Sequence, residues 1–206
     1  RVVRDAAVAA GAPADCIQWV EHPSLEATNL LMNHPGVALI LATGGNAMVR
    51  AAYSCGKPAL GVGAGNVPAF IERSAKLKRA VNDVVLSKAF DNGMICASEQ
   101  AVVLDAPIYD EAMSEFAVLH AYRVNAAEKA MLEEFIFGVQ ANGTNCGEAR
   151  LNPTVVGQSP EWIAEKAGFS VPEGTSIILA EVSEVGPNEP LTREKLCPVL
   201  AVLRAD

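Results

Sequence analysis

Apolar residues fall along this chain in short unbroken runs, separated by stretches where they recur every three or four positions. The run at 37–42 is apolar on both faces, as a central parallel strand is; 59–62, 67–71, 101–104 and 176–182 also read as strands, and 198–203 is a further apolar run. Residues 16–20 read as a further short strand, and 154–156 as another. Between them lie helical spacings. Residues 1–10 read as the back half of an amphipathic helix stopped by Gly11. Ser24 caps a helix bearing Leu25, Leu30, Leu31 and Met32, and His34-Pro35-Gly36 ends it. Residues 47–54 form the next, with Gly56 as its stop. Leu77, Ala80, Val81, Val84, Val85 and Lys88 fit one helix whose lysines and arginine face outward. Pro107 opens a helix with Tyr109, Met113, Phe116 and Ala117, and two more cover 126–140 and 160–167. A turn is expected over 187–190. The β-α-β-α-β rhythm predicts an α/β fold with an open, mostly parallel sheet and helices on its faces.

With 206 residues, half of them hydrophobic, the chain can bury a real core in one large domain or two small ones. Sixteen basic against 24 acidic residues give a net charge of −8, and no basic cluster stands out. Nucleic acid and anionic membranes are therefore not expected partners. No apolar run is long enough to span a bilayer, and no stretch has a signal-peptide pattern. Cys16, Cys55, Cys96, Cys146 and Cys197 are scattered and odd in number, without metal-binding spacing. A reduced, cytoplasmic protein with free thiols and no metal is expected. The partial first helix, and an apolar run at the very end, read as an internal piece of a longer protein.

Two glycine clusters and one cysteine carry the candidate chemistry. Thr43-Gly44-Gly45-Asn46 joins a strand end to a helix start, where backbone N–H groups can meet a phosphate; a tight turn explains it equally well. Gly61-Val62-Gly63-Ala64-Gly65-Asn66 resembles a dinucleotide fingerprint, but a strand follows it rather than a helix. Its glycines fit close passage of the backbone past a ligand or another strand. Phe90-Asp91-Asn92-Gly93-Met94-Ile95-Cys96 places a cysteine just beyond a sharp Asn-Gly reversal. Uncovered backbone N–H groups there would favour a sulfur anion and receive a negative oxygen. On residues alone, a buried structural cysteine remains open as well. His22, His34 and His120 offer no convincing base for Cys96 and are expected on the surface or in the core.

Four landmarks stand in order: Thr43-Gly44-Gly45 at a strand end, the Gly-rich segment 61–68, Asn92-Gly93-Met94-Ile95-Cys96, and Glu194-Lys195-Leu196-Cys197-Pro198-Val199. Together they resemble the aldehyde dehydrogenase superfamily. The wording of Leu41-Ala42-Thr43-Gly44-Gly45 and Phe90-Asp91-Asn92-Gly93 resembles its CoA-acylating branch, closest to the aldehyde dehydrogenase half of the bifunctional aldehyde-alcohol dehydrogenases. The resemblance covers essentially the whole chain. It implies part of a Rossmann-like sheet, the C-terminal part of an NAD-binding domain at 1–66, followed by an incomplete α/β catalytic lobe at 67–206. Cys96 matches the family nucleophile. Thr43, Gly44 and Gly45 match the segment at the NAD phosphates, and Gly61, Val62 and Gly63 the strand end beside the nicotinamide. Glu194 matches the glutamate that binds the nicotinamide ribose; without the resemblance it reads as a solvated charge beside Arg193 and Lys195.

The implied activity interconverts acyl-CoA and aldehyde through a cysteine thioester, with NAD as cofactor and CoA as co-substrate. Val62 stands where hydrolytic relatives carry a glutamate base, which favours a thiol acceptor over water. Implied partners are a small aldehyde or acyl-CoA and further copies of the chain, with filaments in the full-length protein. Alternatives within this reading are an NADP-dependent acyl-phosphate reductase and a mainly structural, filament-forming segment. A redox-sensing thiol lacks a nearby resolving cysteine. Family strands upstream and the rest of the catalytic lobe are missing, so the isolated chain is expected to be weakly active or inactive and to leave a sheet edge unpaired.

Overall fold

The computed structural model describes residues 1–138, 150–186 and 188–206. The chain divides into two compact units, Arg1–Ala64 and Gly65–Asp206.

The first unit holds α1 (Val2–Ala9), α2 (Leu25–Asn33), β1 (Ile40–Thr43), α3 (Asn46–Ser54) and β2 (Ala59–Val62). Ser24 caps α2, its Oγ accepting from the Ala27 N–H at 3.0 Å. The two strands pair in parallel, Ile40 opposite Ala59 and Thr43 opposite Val62. Met32, Ile40, Ala42 and Ala52 form a small core. The expected strand at 37–42 is shorter and is covered on one face only: Ile40 and Ala42 are buried, whereas Leu41 is 74% exposed. A helix packs on one side of this pair and nothing in the unit covers the other side. The strand expected at 16–20 does not form; the segment is turn and irregular backbone. Extended backbone needs a partner for its hydrogen bonds, and none pairs with it among the described residues. Trp19 lies instead under the guanidinium groups of Arg1 and Arg4, at 5.8 and 5.4 Å from its ring centre.

The second unit holds β3 (Pro68–Ile71), α4 (Leu77–Ala89), β4 (Ala101–Asp105), α5 (Tyr109–Val118), β5 (Tyr122–Arg123), α6 (Ala126–Phe137), α7 (Pro160–Ala167), β6 (Ile178–Glu181) and β7 (Val199–Ala205). Its five strands run in the order β3-β4-β7-β6-β5, every pair parallel. The last strand therefore enters the middle of the sheet. Side chains alternate between two cores. Ala101, Ala201, Val199 and Leu203 pack with Leu132, Ile136 and Ile163 of α6 and α7. Val102, Leu104, Leu200 and Val202 pack with Val81, Val85, Ala112 and Phe116 of α4 and α5. Burial on both faces is why these strands are unbroken apolar runs. Arg73 and Asp105 lock the ends of β3 and β4 together, with Arg73 Nε 2.6 Å from Asp105 Oδ2.

Three local expectations change. Residues 153–155 form a 3-10 turn rather than a strand, because the Asn152 side chain accepts from the Thr154 N–H at 3.1 Å and folds the backbone on itself. The strand expected at 176–182 narrows to β6. The helix expected to reach residue 140 is last described at Phe137, with Gly138 left-handed at its end. Val139, Gln140 and Cys146 lie outside the described residues, as does Pro187 of the expected turn; Pro190–Thr192 is a 3-10 turn. Two-residue β5 escaped the sequence reading because a pair of residues carries no periodicity. Its register comes from the Tyr122 N–H, which donates to the Ile177 carbonyl at 2.9 Å.

Candidate active site

Asp91, Asn92 and Gly93 adopt three successive left-handed conformations, with φ of 51°, 50° and 68°. They break the path out of α4 and swing Cys96 to the N-terminal edge of the sheet, just ahead of β4. The Asn-Gly pair makes this possible. Gly93 answers a second demand. A Cβ there would sit 2.6 Å from the Cys197 carbonyl oxygen and 3.1 Å from that of Lys88. Gly93→Ala combines a disfavoured φ with backbone overlap on both sides. It should lower stability by about 2–3 kcal/mol, read as a shift in urea midpoint.

Cys96 is exposed at the tip of this loop. The backbone N–H groups of Cys96 and Ala97 donate to nothing among the described residues, while the Ser98 N–H is taken by the Ile95 carbonyl at 3.0 Å. The tip thus offers an accessible sulfur and free donors side by side. That is the arrangement needed to attack a carbonyl and to hold the oxyanion that results. An apolar recess of about 360 Å³ adjoins it, lined by Leu86, Phe90, Ile95 and Ala97. A larger recess, about 690 Å³, lies elsewhere, at the C-terminal ends of β5 and β6. No residue of the Cys96 loop lines it.

Below the tip the loop is sewn to the segment that precedes β7. The Asn92 amide donates to the Gly157 carbonyl at 2.9 Å, and the Gly157 N–H donates to the Leu196 carbonyl at 3.1 Å. Gln100, fully buried, accepts at Oε1 from the Lys195 N–H at 3.0 Å and from Lys88 Nζ at 3.3 Å. Its Nε2 donates to the Ser98 carbonyl at 3.2 Å. Lys195 Nζ returns the contact, donating to the carbonyls of Gln100 at 2.8 Å and Arg193 at 3.0 Å, and to that of Leu191. Leu196 takes a left-handed φ of 52° to complete the reversal.

Lys88 was expected on the outer side of its helix and is fully buried. Val81, Val84, Val85 and Lys88 share one three-to-four spacing, so the apolar stripe itself carries the lysine inward. Burial pulls its pKa down to about 8, against the opposing pull of Cys197, Glu99 and Glu194. Burial also lowers Lys195 well below an ordinary lysine, and the neighbouring Lys88 charge adds to this. Cys197 is pushed up by burial, with both lysines opposing. Sequence reasoning missed Lys195, Gln100 and Gly157; nothing in their local pattern distinguishes them from ordinary loop residues.

In the first unit, Thr43, Gly44, Gly45, Gly61, Val62 and Gly63 gather at the C-terminal ends of β1 and β2. The Gly44 N–H donates to the Val62 carbonyl at 3.1 Å. Gly45 is the N-cap of α3 and carries no side-chain cap, so the first N–H groups of that helix are left for another acceptor. A Cβ at Gly45 would meet nothing within 4 Å. This open, uncapped helix start fits a phosphate. Gly61 has a different purpose. A Cβ there would lie 2.6 Å from Val49 Cγ1 and 2.9 Å from Tyr53, and its N–H donates to the Tyr53 hydroxyl at 3.0 Å. Its missing side chain makes room for α3. Gly63 similarly clears the Asn46 side chain, whose Oδ1 would lie 2.7 Å from a Cβ. In the second unit Cys96 and half-buried Glu194 stand on the two segments joined by Gln100 and Lys195.

Comparison with known proteins places this architecture. A model described as the aldehyde dehydrogenase family matches residues 2–142. An aldehyde-alcohol dehydrogenase of Streptococcus pneumoniae is 66% identical over the whole chain, which spans 23% of that relative. An acetylating aldehyde dehydrogenase of Geobacillus thermoglucosidasius superposes with a TM-score of 0.90 at 42% identity, over all of this chain and 43% of that one. A Rhodopseudomonas palustris propionaldehyde dehydrogenase, with bound CoA and an acylated cysteine, gives a TM-score of 0.84 at 31% identity, over all of this chain and 45% of that one. The chain thus spans about a quarter of the curated relative and under half of the solved ones. With its five-stranded parallel sheet and its cysteine on a left-handed Asn-Gly loop, the chain belongs to the aldehyde dehydrogenase family.

Proposed function

We propose that the protein acts as a CoA-acylating aldehyde dehydrogenase, interconverting acetyl-CoA and acetaldehyde through a thioester on Cys96. The single observation that carries this reading is the exposed Cys96 thiol beside unused backbone N–H donors, on a loop anchored at its base. The acylated cysteine and bound CoA of the propionaldehyde dehydrogenase relative support it. In the oxidative direction the Cys96 thiolate adds to the aldehyde carbon, and the N–H groups of the tip hold the oxyanion. NAD, when bound, supplies the acceptor for the hydride that leaves this carbon. Collapse of the oxyanion then leaves an acyl thioester on Cys96. The CoA thiolate attacks that thioester and Cys96 departs as thiolate, ready for the next turn. Val62, in the position of the hydrolytic base, is 56% exposed and has no proton-accepting group, so water is not activated there.

In this reading residues 1–66 are the C-terminal part of the cofactor domain, with Thr43, Gly44 and Gly45 receiving the NAD phosphates and Gly61, Val62 and Gly63 beside the nicotinamide. Residues 67–206 belong to the catalytic domain, with Glu194 on the nicotinamide ribose. NAD rather than NADP, a cytoplasmic location, homo-oligomers and filaments in the full-length protein complete the proposal. The scattered, odd number of cysteines supports a reducing compartment. The acyl donor provides the test. Acetyl-CoA should acylate the protein, seen as a mass increase of one acetyl group that hydroxylamine removes. Acylation by acetyl phosphate but not by acetyl-CoA would replace this proposal with an acyl-phosphate reductase.

A further inference from the structure

Lys195 is fully buried and donates to three separate backbone carbonyls, those of Gln100, Leu191 and Arg193. Three carbonyl acceptors around one nitrogen match the three N–H bonds of the ammonium form and work against the burial that lowers its pKa. Its own backbone N–H then binds the Gln100 side chain. Gln100 closes the circuit by donating to the Ser98 carbonyl, and Ser98 Oγ donates to the Gly93 carbonyl at 3.3 Å. One continuous chain of hydrogen bonds therefore runs from the Arg193–Lys195 backbone to both ends of the loop that carries Cys96. Glu194 sits between two residues held by that one ammonium.

A buried lysine is costly to desolvate, and an apolar residue would fill the same space at lower cost. What the ammonium adds is fixed geometry: it sets the backbone on either side of Glu194 against the base of the nucleophile loop. We propose that Lys195 is a positioning residue which, through Gln100, locks the Glu194 segment and the Cys96 loop into one piece, so that the cofactor-binding carboxylate and the thiol keep a fixed relation. The inference rests on the functional reading above.

The test uses iodoacetamide alkylation of Cys96, followed by peptide mapping, across a titration of NAD. In the wild-type protein NAD should protect Cys96. In Lys195→Met, whose side chain fills the volume without donors, the half-protecting NAD concentration should rise about tenfold, while alkylation without NAD changes less than about twofold. A lysine with only a structural role would lower the unfolding midpoint and leave the half-protecting concentration as in wild type; that result overturns the proposal. Should Lys195→Met not fold, Gln100→Leu removes the side-chain half of the same link and is read identically. If NAD gives no protection in the wild type, the functional reading fails first and this proposal falls with it. Protection in the wild type that is unchanged in both variants sinks the positioning role alone.

Discussion

Replacing Cys96 with serine is expected to abolish acyl transfer. Serine keeps the size of the side chain and the loop around it, but its hydroxyl is not ionised at neutral pH. Within its unit, no histidine among the described residues is hydrogen bonded to the loop. The loss should therefore approach the full contribution of a thiolate nucleophile, about 1,000-fold or more in the rate of acetylation from acetyl-CoA. Stability should change little, because Cys96 is exposed and packs against no core. That combination separates a catalytic cysteine from a structural one. Retained acetylation in Cys96→Ser would remove the residue from the mechanism, and a large fall in unfolding midpoint would make it structural.

Lys88→Met is expected to stabilise the protein, and to do so only on the acid side of a defined window. In the fold Lys88 titrates at about 8, whereas in the unfolded chain it returns to the ordinary lysine value. Below pH 8 both states carry the proton, and the fold bears the whole cost of burying the charge. Between pH 8 and about 10.4 the fold has released the proton while the unfolded chain still holds it, so wild-type stability rises with pH. Above that range both states are neutral and the cost is gone. Methionine fills a similar volume and does not titrate. Gln100 Oε1 keeps its other donor, the Lys195 N–H at 3.0 Å. The variant should exceed wild type by on the order of 2–3 kcal/mol at pH 7 and converge with it above pH 10.4. Urea unfolding of both proteins across this range reads the difference; loss of the Lys88 charge also relieves the neighbouring Lys195, which acts in the same direction. A constant difference with pH would mean that Lys88 is not the titrating group.

Much of this architecture was legible in the residues. Continuous apolar runs such as 101–104 mark strands buried on both faces, and Ser24, Gly56 and Gly168 mark helix ends because their local chemistry alone determines the backbone. The Asn92-Gly93 reversal was legible for the same reason, whereas the exposure of Cys96 was not, since a buried structural cysteine fitted the same residues. What was not legible depends on neighbours distant in sequence. The apolar segment at 16–20 lacks a partner strand and stays irregular. Gly61 looked available to a ligand, yet α3 occupies the space above it. Lys88 read as a surface charge although its spacing with Val81, Val84 and Val85 already pointed inward. Lys195 and Gln100 lie 95 residues apart and meet only because β7 inserts beside β4 in the sheet. No local pattern anticipates that insertion.

In the proposed reaction one of the five thiols, and that one alone, carries the acyl group. Incubation of the wild-type protein with acetyl-CoA, followed by proteolysis at low pH and mapping of every cysteine-containing peptide, tests it directly. An acetyl thioester is expected on Cys96, with Cys16, Cys55, Cys146 and Cys197 left free. An acetyl group distributed among the exposed thiols, or absent from Cys96, would contradict it.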